Sequence, residues 1–138
     1  MEVVIDVNVI LSSLLSKGNS FNVFVLNNLF NKFEFLAPEF LLVELEKHKE
    51  EFFKRTKLSK QEFEEVMEFV LEQIIFIPKS EFSEFLPEAK KLLSTHLKDV
   101  QYLALSLKLS CPIFSGDKIL KRLFPSKVLS PKEMLDKF

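Results

Sequence analysis

Short apolar runs alternate with helix-patterned segments along this chain, and that alternation restricts its fold more than any other feature. Glu2-Val-Val-Ile-Asp6 is rich in β-branched residues, as a strand requires. Residues 33–37, 74–77 and 113–115 form similar runs, and 127–130 reads as an edge strand. The pattern predicts helices over about 9–15 and, after a break at Lys17-Gly-Asn-Ser20, over 20–31. Pro38 suits the first position of a helix reaching about Arg55. Ser59-Lys-Gln-Glu62 and Ser130-Pro-Lys-Glu133 have the capping-box spacing of helix starts. Shorter helices are expected over 87–94 and 118–124. Residues 99–109 are apolar on nearly every side and predict a buried helix. Strands alternating with helices give a mostly parallel sheet of four or five strands, covered on both faces, in one α/β domain spanning 1–138.

Composition excludes several chemistries. The two glycines, Gly18 and Gly116, are too few for a Gly-rich phosphate loop of either common type. The formal charge of −1 makes no electrostatic case for nucleic acid from the whole chain. Acids gathered in one site would, however, leave the remaining surface locally more basic. Cys111 is alone, cannot form an internal disulfide, and reads as the buried thiol of a cytoplasmic protein. The first apolar run is only a few residues long and lacks a preceding basic stretch, so it reads as a strand and not as a leader or membrane span.

Four carboxylates stand where such a fold would collect them. Asp6 ends the first strand and Asp117 follows the fourth. In open parallel sheets ligands bind beyond the carboxyl ends of the strands. A crossover helix runs antiparallel to its strands, so Asp99, opening the apolar helix, belongs at the same edge. Glu44 lies about two turns into its helix, roughly 8–9 Å along the axis, beside the apolar stripe. Four carboxylates at one point repel, and without a cation at least one holds a proton. Oxygen donors favour Mg²⁺ or Mn²⁺, and an ion so held activates water for attack on phosphorus. Asn8 and Ser115 stand two residues from Asp6 and Asp117, where they can orient waters or carboxylates. An acid ending a buried first strand, such as Asp6, is costly unless used or paired, but the other three acids, taken alone, also have a plainer reading. Asp117 can cap the next helix, Asp99 gains from the helix dipole, and Glu44 sits among surface glutamates.

Met1-Glu-Val-Val-Ile-Asp6-Val-Asn8, Pro38-Glu-Phe-Leu-Leu-Val-Glu44, Lys98-Asp99-Val-Gln-Tyr-Leu-Ala-Leu and Ser115-Gly-Asp117-Lys118 together resemble, in order and spacing, the motifs of the PIN-domain family. The resemblance implies a three-layer α/β/α sandwich and a metal-dependent nuclease acting on RNA. A role as the toxin of a toxin–antitoxin pair, an antitoxin partner and a homodimer are often associated with such a domain. By matching positions, Asp6, Glu44, Asp99 and Asp117 are the catalytic and metal-site acids, with Asn8 and Ser115 supporting. The chain departs from the pattern at Lys98, where many relatives carry an acid, and after Asp117, where Lys118, Ile119 and Leu120 bring no further Asp.

RNA binding needs positive charge at the rim. Lys98, Lys118, Lys121 and Arg122 are the candidates, with ordinary solvated lysines as the plainer reading. His48 and His96 are dispersed, and neither reads as a catalytic base. The main alternative to an endoribonuclease is a catalytically silent PIN-like module that binds RNA or a protein partner. The segment 59–75, with Phe63, Val66, Met67, Val70 and Leu71, reads as core more readily than as a partner surface.

Overall fold

The structure is a computed structural model and describes residues 1–138. The elements run β1 (Glu2–Ile5), α1 (Val7–Leu15), α2 (Asn19–Phe30), β2 (Glu34–Pro38), α3 (Phe40–Arg55), α4 (Lys60–Leu71) and β3 (Ile74–Ile77). They continue with α5 (Leu86–Leu93), α6 (Val100–Leu109), β4 (Ile113–Phe114), α7 (Lys118–Leu123), β5 (Val128–Leu129) and α8 (Pro131–Leu135). Single 3-10 turns occupy Lys79–Glu81, Ser83–Phe85 and Leu97–Asp99. The sheet order is β3-β2-β1-β4-β5, and every neighbouring pair is parallel. The sheet expected to be mostly parallel, with four or five strands, is therefore wholly parallel with five, between helical layers.

The central strand explains the arrangement. Val3, Val4 and Ile5 are fully buried, as they must be when both faces of a parallel strand are covered. Val4 pairs with Leu36 on one side and Ile113 on the other. Helix α6 lies against β1, β2 and β4 and packs beside α5. Its Tyr102, Leu103, Ala104 and Leu105 have no exposed surface, which accounts for its nearly all-apolar sequence. In the other helical layer α1 packs on α3, α4 and α2, while α2 packs on α8. Phe24 of α2 meets the sheet edge-on at Phe35, with centroids 5.3 Å apart, and Phe114 at 5.9 Å. The Asn27 side chain accepts from the Phe33 amide and donates to its carbonyl, at 2.8 and 3.0 Å, pinning the end of α2 to the start of β2. Phe63, Val66 and Val70 are buried, so α4 does supply core.

Two local expectations change. Pro38 is the last residue of β2, paired in register with Ile77, and not the first of α3. Pairing continues past it because Glu39 donates its N–H to the Ile77 carbonyl, so no N–H is required of the proline. Helix α1 starts at Val7 rather than Val9, because Asp6 already caps it through the Asn8 amide. Both capping boxes form, at Ser59/Glu62 and Ser130/Glu133. No single helix is long and apolar enough to cross a membrane.

The chain leaves β1 for β2 on one side and returns to its other side at β4. The carboxyl ends of β1 and β4 thus flank the point where strand order reverses, the usual crevice of such sheets. The aromatic contact that seals the opposite layer can be tested separately. Phe24→Ala is expected to cost about 3–5 kcal/mol in urea unfolding, whereas Leu29→Ala, on an exposed position of the same helix, should stay within about 0.5 kcal/mol. Equal costs would contradict this packing.

Candidate metal centre

The crevice is built from two loops that bind each other. The Ser115 hydroxyl donates to Asp6 Oδ2 at 2.7 Å and accepts from the Asp117 amide at 3.0 Å. The Asn8 side chain accepts from the Gly116 amide at 3.1 Å and donates to Ser115 Oγ at 3.4 Å. Asn8 and Ser115, expected to support the acids, thus lock the turn after β1 to the turn after β4. Asp6 is buried and Ser115 has 1% exposure, so this bridge lies within the core.

Asp99 stands at the start of α6, facing the same crevice. Asp6, Asp99 and Asp117 occupy the N-cap positions of α1, α6 and α7. Asp6 caps its helix, accepting from the Asn8 amide at 3.5 Å. The capping reading holds for Asp117, whose Oδ1 accepts from Ile119 and Leu120 at 2.8 and 3.1 Å. Asp99, whose plainer reading is the helix dipole and not a cap, makes no side-chain cap hydrogen bond. Asp99 Oδ2 is buried and makes no hydrogen bond at all. It lies 2.9 Å from His96 Nε2, which in turn lies 3.5 Å from Asp117 Oδ2. The ligand-type atoms of His96, Asp99 and Asp117 all fall within 4.8 Å of one another. Lys98 extends over the mouth and places Nζ 3.1 Å from Asp117 Oδ2.

Glu44 stands outside that compact triad. Its Oε1 accepts from the Tyr102 hydroxyl at 2.5 Å. Its charge still reaches the cluster, raising the pKa of both Asp6 and Asp99. The basic candidates separate. Lys98 is at the acids. Lys118 and Arg122 are exposed and make no ion pair. Lys121 Nζ is held by Glu133 at 2.9 Å and by the carbonyls of Pro125 and Val128, which ties α7 to β5 and α8. Beside the cluster, a groove of about 280 Å³ is lined by Lys79, Lys90, Lys98, Phe40, Leu97 and Gln101.

The PIN domain family model matches residues 4–123. The chain belongs to the PIN-domain family. PIN domains are in general nucleases. No curated protein matches the chain. Among solved structures, a chain in the crystal structure of VapBC2 from Rickettsia felis bound to a DNA fragment from their promoter is similar to it. That likeness covers 94% of this chain and 98% of the other, with a TM-score of 0.68 and 12% identity. It shows the fold.

The donor set of this PIN domain fits a divalent cation. Burial pushes the Asp6 carboxyl up to about 7, against the lowering effect of the Ser115 hydrogen bond and with help from Asp99 and Glu44. Burial likewise raises Asp99, and the charge of Asp117 adds to it. Asp117 goes the other way: burial would raise it, but the Leu120 amide and the Lys98 ammonium hold it below the usual carboxylate range. Buried acids whose ionised form is disfavoured, and a buried oxygen that accepts no hydrogen bond, are what a bound cation relieves. His96, Asp99 and Asp117 are grouped to hold one, with Asp6 and Glu44 close by.

Two site residues escaped the sequence reading. His96 lies three residues before Asp99, at the N-cap of the Leu97–Asp99 3-10 turn, and residues i and i+3 of such a turn eclipse. That spacing was the available signal. Tyr102 is the one tyrosine of the chain, on an otherwise apolar helix; a buried hydroxyl requires a partner. Burial, then the neighbouring Glu44 carboxylate, raises its phenol far above the usual range. His48 lies away from the site, with Nδ1 3.9 Å from Glu51.

The folded pKa of Asp6, about 7, exceeds its ordinary value of 3.8, so the folded state binds this proton more tightly. Its contribution to stability is complete below the ordinary value and is lost as pH rises through about 7. Asp117 has the opposite sign, and its contribution is lost as pH falls through its lowered value. In chelator, melting temperature should therefore decline from about pH 5 to about pH 8. Asp6→Asn should flatten that decline and melt higher at the alkaline end. A wild-type melting curve that rises across the interval would contradict the burial of this acid.

Proposed function

We propose that this PIN domain is a metal-dependent endoribonuclease. The observation that carries the reading is the buried Asp99 Oδ2, which accepts no hydrogen bond, grouped with Asp117 and His96 and within reach of the charges of Asp6 and Glu44, at the switch point of a parallel sheet. In this reading the four acids are the catalytic and metal-site residues. Asp99 and Asp117 hold Mg²⁺ or Mn²⁺, while Asp6 and Glu44 supply balancing charge and orient water. When bound, the ion supplies Lewis acidity that activates water and stabilises the leaving oxygen of the phosphodiester. The chain's own residues do the positioning. Ser115 and Asn8 hold Asp6 and the Asp117 turn in one frame. Tyr102 fixes the Glu44 carboxylate.

The substrate path follows the basic rim. Lys79, Lys90 and Lys98 line one groove beside the acids, with Phe40 available for stacking. Lys118 and Arg122, exposed on the helix that Asp117 caps, complete the proposed rim. Lys121 serves the packing of α7 rather than the rim. RNA is the proposed substrate. The VapBC2 complex of the structural neighbour supports a partner antitoxin here. Exposed Leu42 and Val43, next to Glu44 on α3, offer that partner an apolar contact beside the site. A homodimer of the chain is compatible with the same reading.

One observation favours a second reading. The Lys98 ammonium already neutralises Asp117 at 3.1 Å, as it would in a silent module that binds RNA without cutting it. The deciding measurement is cleavage of single-stranded RNA with Mg²⁺ or Mn²⁺. Asp6→Asn and Asp99→Asn should each lower the rate by about 10–100-fold or more, and chelator should abolish it. Binding without cleavage across many RNA and DNA substrates, by folded protein, would favour the silent module.

The rim is tested by salt dependence, with Asp6→Asn protein so that RNA stays intact. Lys118→Ala and Arg122→Ala should each weaken binding and lower the log–log salt slope by about 0.7. Lys121→Ala should leave the slope unchanged and lower thermal stability instead. A slope that responds to Lys121 and not to Lys118 or Arg122 would reverse this division.

A further inference from the structure

Among the donors of the cluster, one differs in kind from the acids. His96 contributes nitrogen. Its Nε2 lies 2.9 Å from Asp99 Oδ2 and 3.5 Å from Asp117 Oδ2. An ordinary His–Asp ion pair would place an N–H along the contact. Here neither His96 Nε2 nor Asp99 Oδ2 makes a hydrogen bond, although both atoms are buried. Two donors that lie near each other without pointing at each other are arranged as neighbours around a third atom. Adjacent ligands of an octahedral ion with bonds of about 2 Å stand roughly 3 Å apart whichever divalent ion is bound, and these two atoms are 2.9 Å apart. The backbone supports deliberate placement. Ser94, two residues earlier, has φ 57° and ψ −104°, a conformation costing a non-glycine residue about 1–3 kcal/mol. It turns the chain out of α5 and into the 3-10 turn that stacks His96 over Asp99.

We infer that His96 Nε2 is a direct ligand of the divalent cation, so that the site prefers Mn²⁺ and similar first-row ions over Mg²⁺. The inference rests on the metal-site reading above and adds the identity of the ion. Imidazole binds first-row transition ions well and Mg²⁺ poorly, whereas carboxylates and water serve both. Lys98 strengthens the bias. Its ammonium already balances Asp117, leaving less negative charge to attract a hard, strongly hydrated ion. A nitrogen donor then weighs more in the choice of metal.

The test reads the metal directly and needs no cleavage assay. Chelator-stripped protein is titrated with Mn²⁺ and with Mg²⁺ at one fixed pH. The Mn²⁺-loaded protein is then examined by electron spin-echo envelope modulation, with ¹⁵N-labelled protein as the isotope control. The expected result is modulation from a directly coordinated nitrogen. His96→Ala should remove it, His48→Ala should retain it, and only the former should weaken Mn²⁺ binding by about tenfold or more while changing Mg²⁺ little. The wild-type spectrum and its isotope control require no variant, so a folding defect in His96→Ala leaves the test intact. Mn²⁺ binding without coordinated nitrogen, or an unchanged Mn²⁺/Mg²⁺ ratio in a folded His96→Ala, overturns the inference and leaves the carboxylate site standing. Wild-type protein that binds neither ion overturns both.

Discussion

A carboxylate buried at the end of the central strand is the constraint around which the crevice is organised. Asp6 follows three fully buried residues of β1 and is itself 3% exposed. Burying an unpaired charge costs several kcal/mol, so such a group holds a proton or finds partners. Asp6 finds the Ser115 hydroxyl, and Ser115 is itself bound to the Asp117 amide and to Asn8. One carboxylate thereby fixes the register of two loops that lie more than a hundred residues apart in sequence.

The convergence of helix ends makes the remaining acids tolerable. Asp6, Asp99 and Asp117 each stand at the N-cap position of a helix, so three positive dipole ends approach one crevice. Amides directly satisfy Asp117 and, more weakly, Asp6. Asp99 receives none, and its free oxygen is where the dipoles fall short of the charge. Lys98 supplies one positive charge at the mouth. The cluster is balanced enough to fold, yet it retains donor atoms for a cation. That combination connects the packing of β1 and β4 to the proposed chemistry.

Much of this was legible in the chain because it depends on local rules. Alternating strands and helices identify the parallel α/β class, and the two capping boxes mark where α4 and α8 begin. The position of an acid after a strand or at a helix start is enough to assign it to the carboxyl edge, which is how Asp6, Asp99 and Asp117 could be grouped. Pro38 was misread because a proline suits a helix start and a strand end equally; register with Ile77 settles it. For Lys121, the tertiary structure adds contacts that the sequence does not show. Its neighbours in sequence suggest a basic rim, but its partners Pro125, Val128 and Glu133 are brought to it only by the docking of β5 and α8.

By itself, the sequence determined the class of fold, the edge of the sheet at which acids gather and the oxygen-rich character of the donors. Those properties follow from periodicity, capping and side-chain chemistry, which act over a few residues. The tertiary structure decided which atoms face one another. It left Asp99 Oδ2 without a hydrogen bond, brought His96 beside it, tied Glu44 to Tyr102 and drew Lys98 onto Asp117. Contacts of this kind depend on the angle at which α6 crosses the sheet and on the strained turn at Ser94. Such geometry comes from packing the whole core, and no short stretch of residues specifies it.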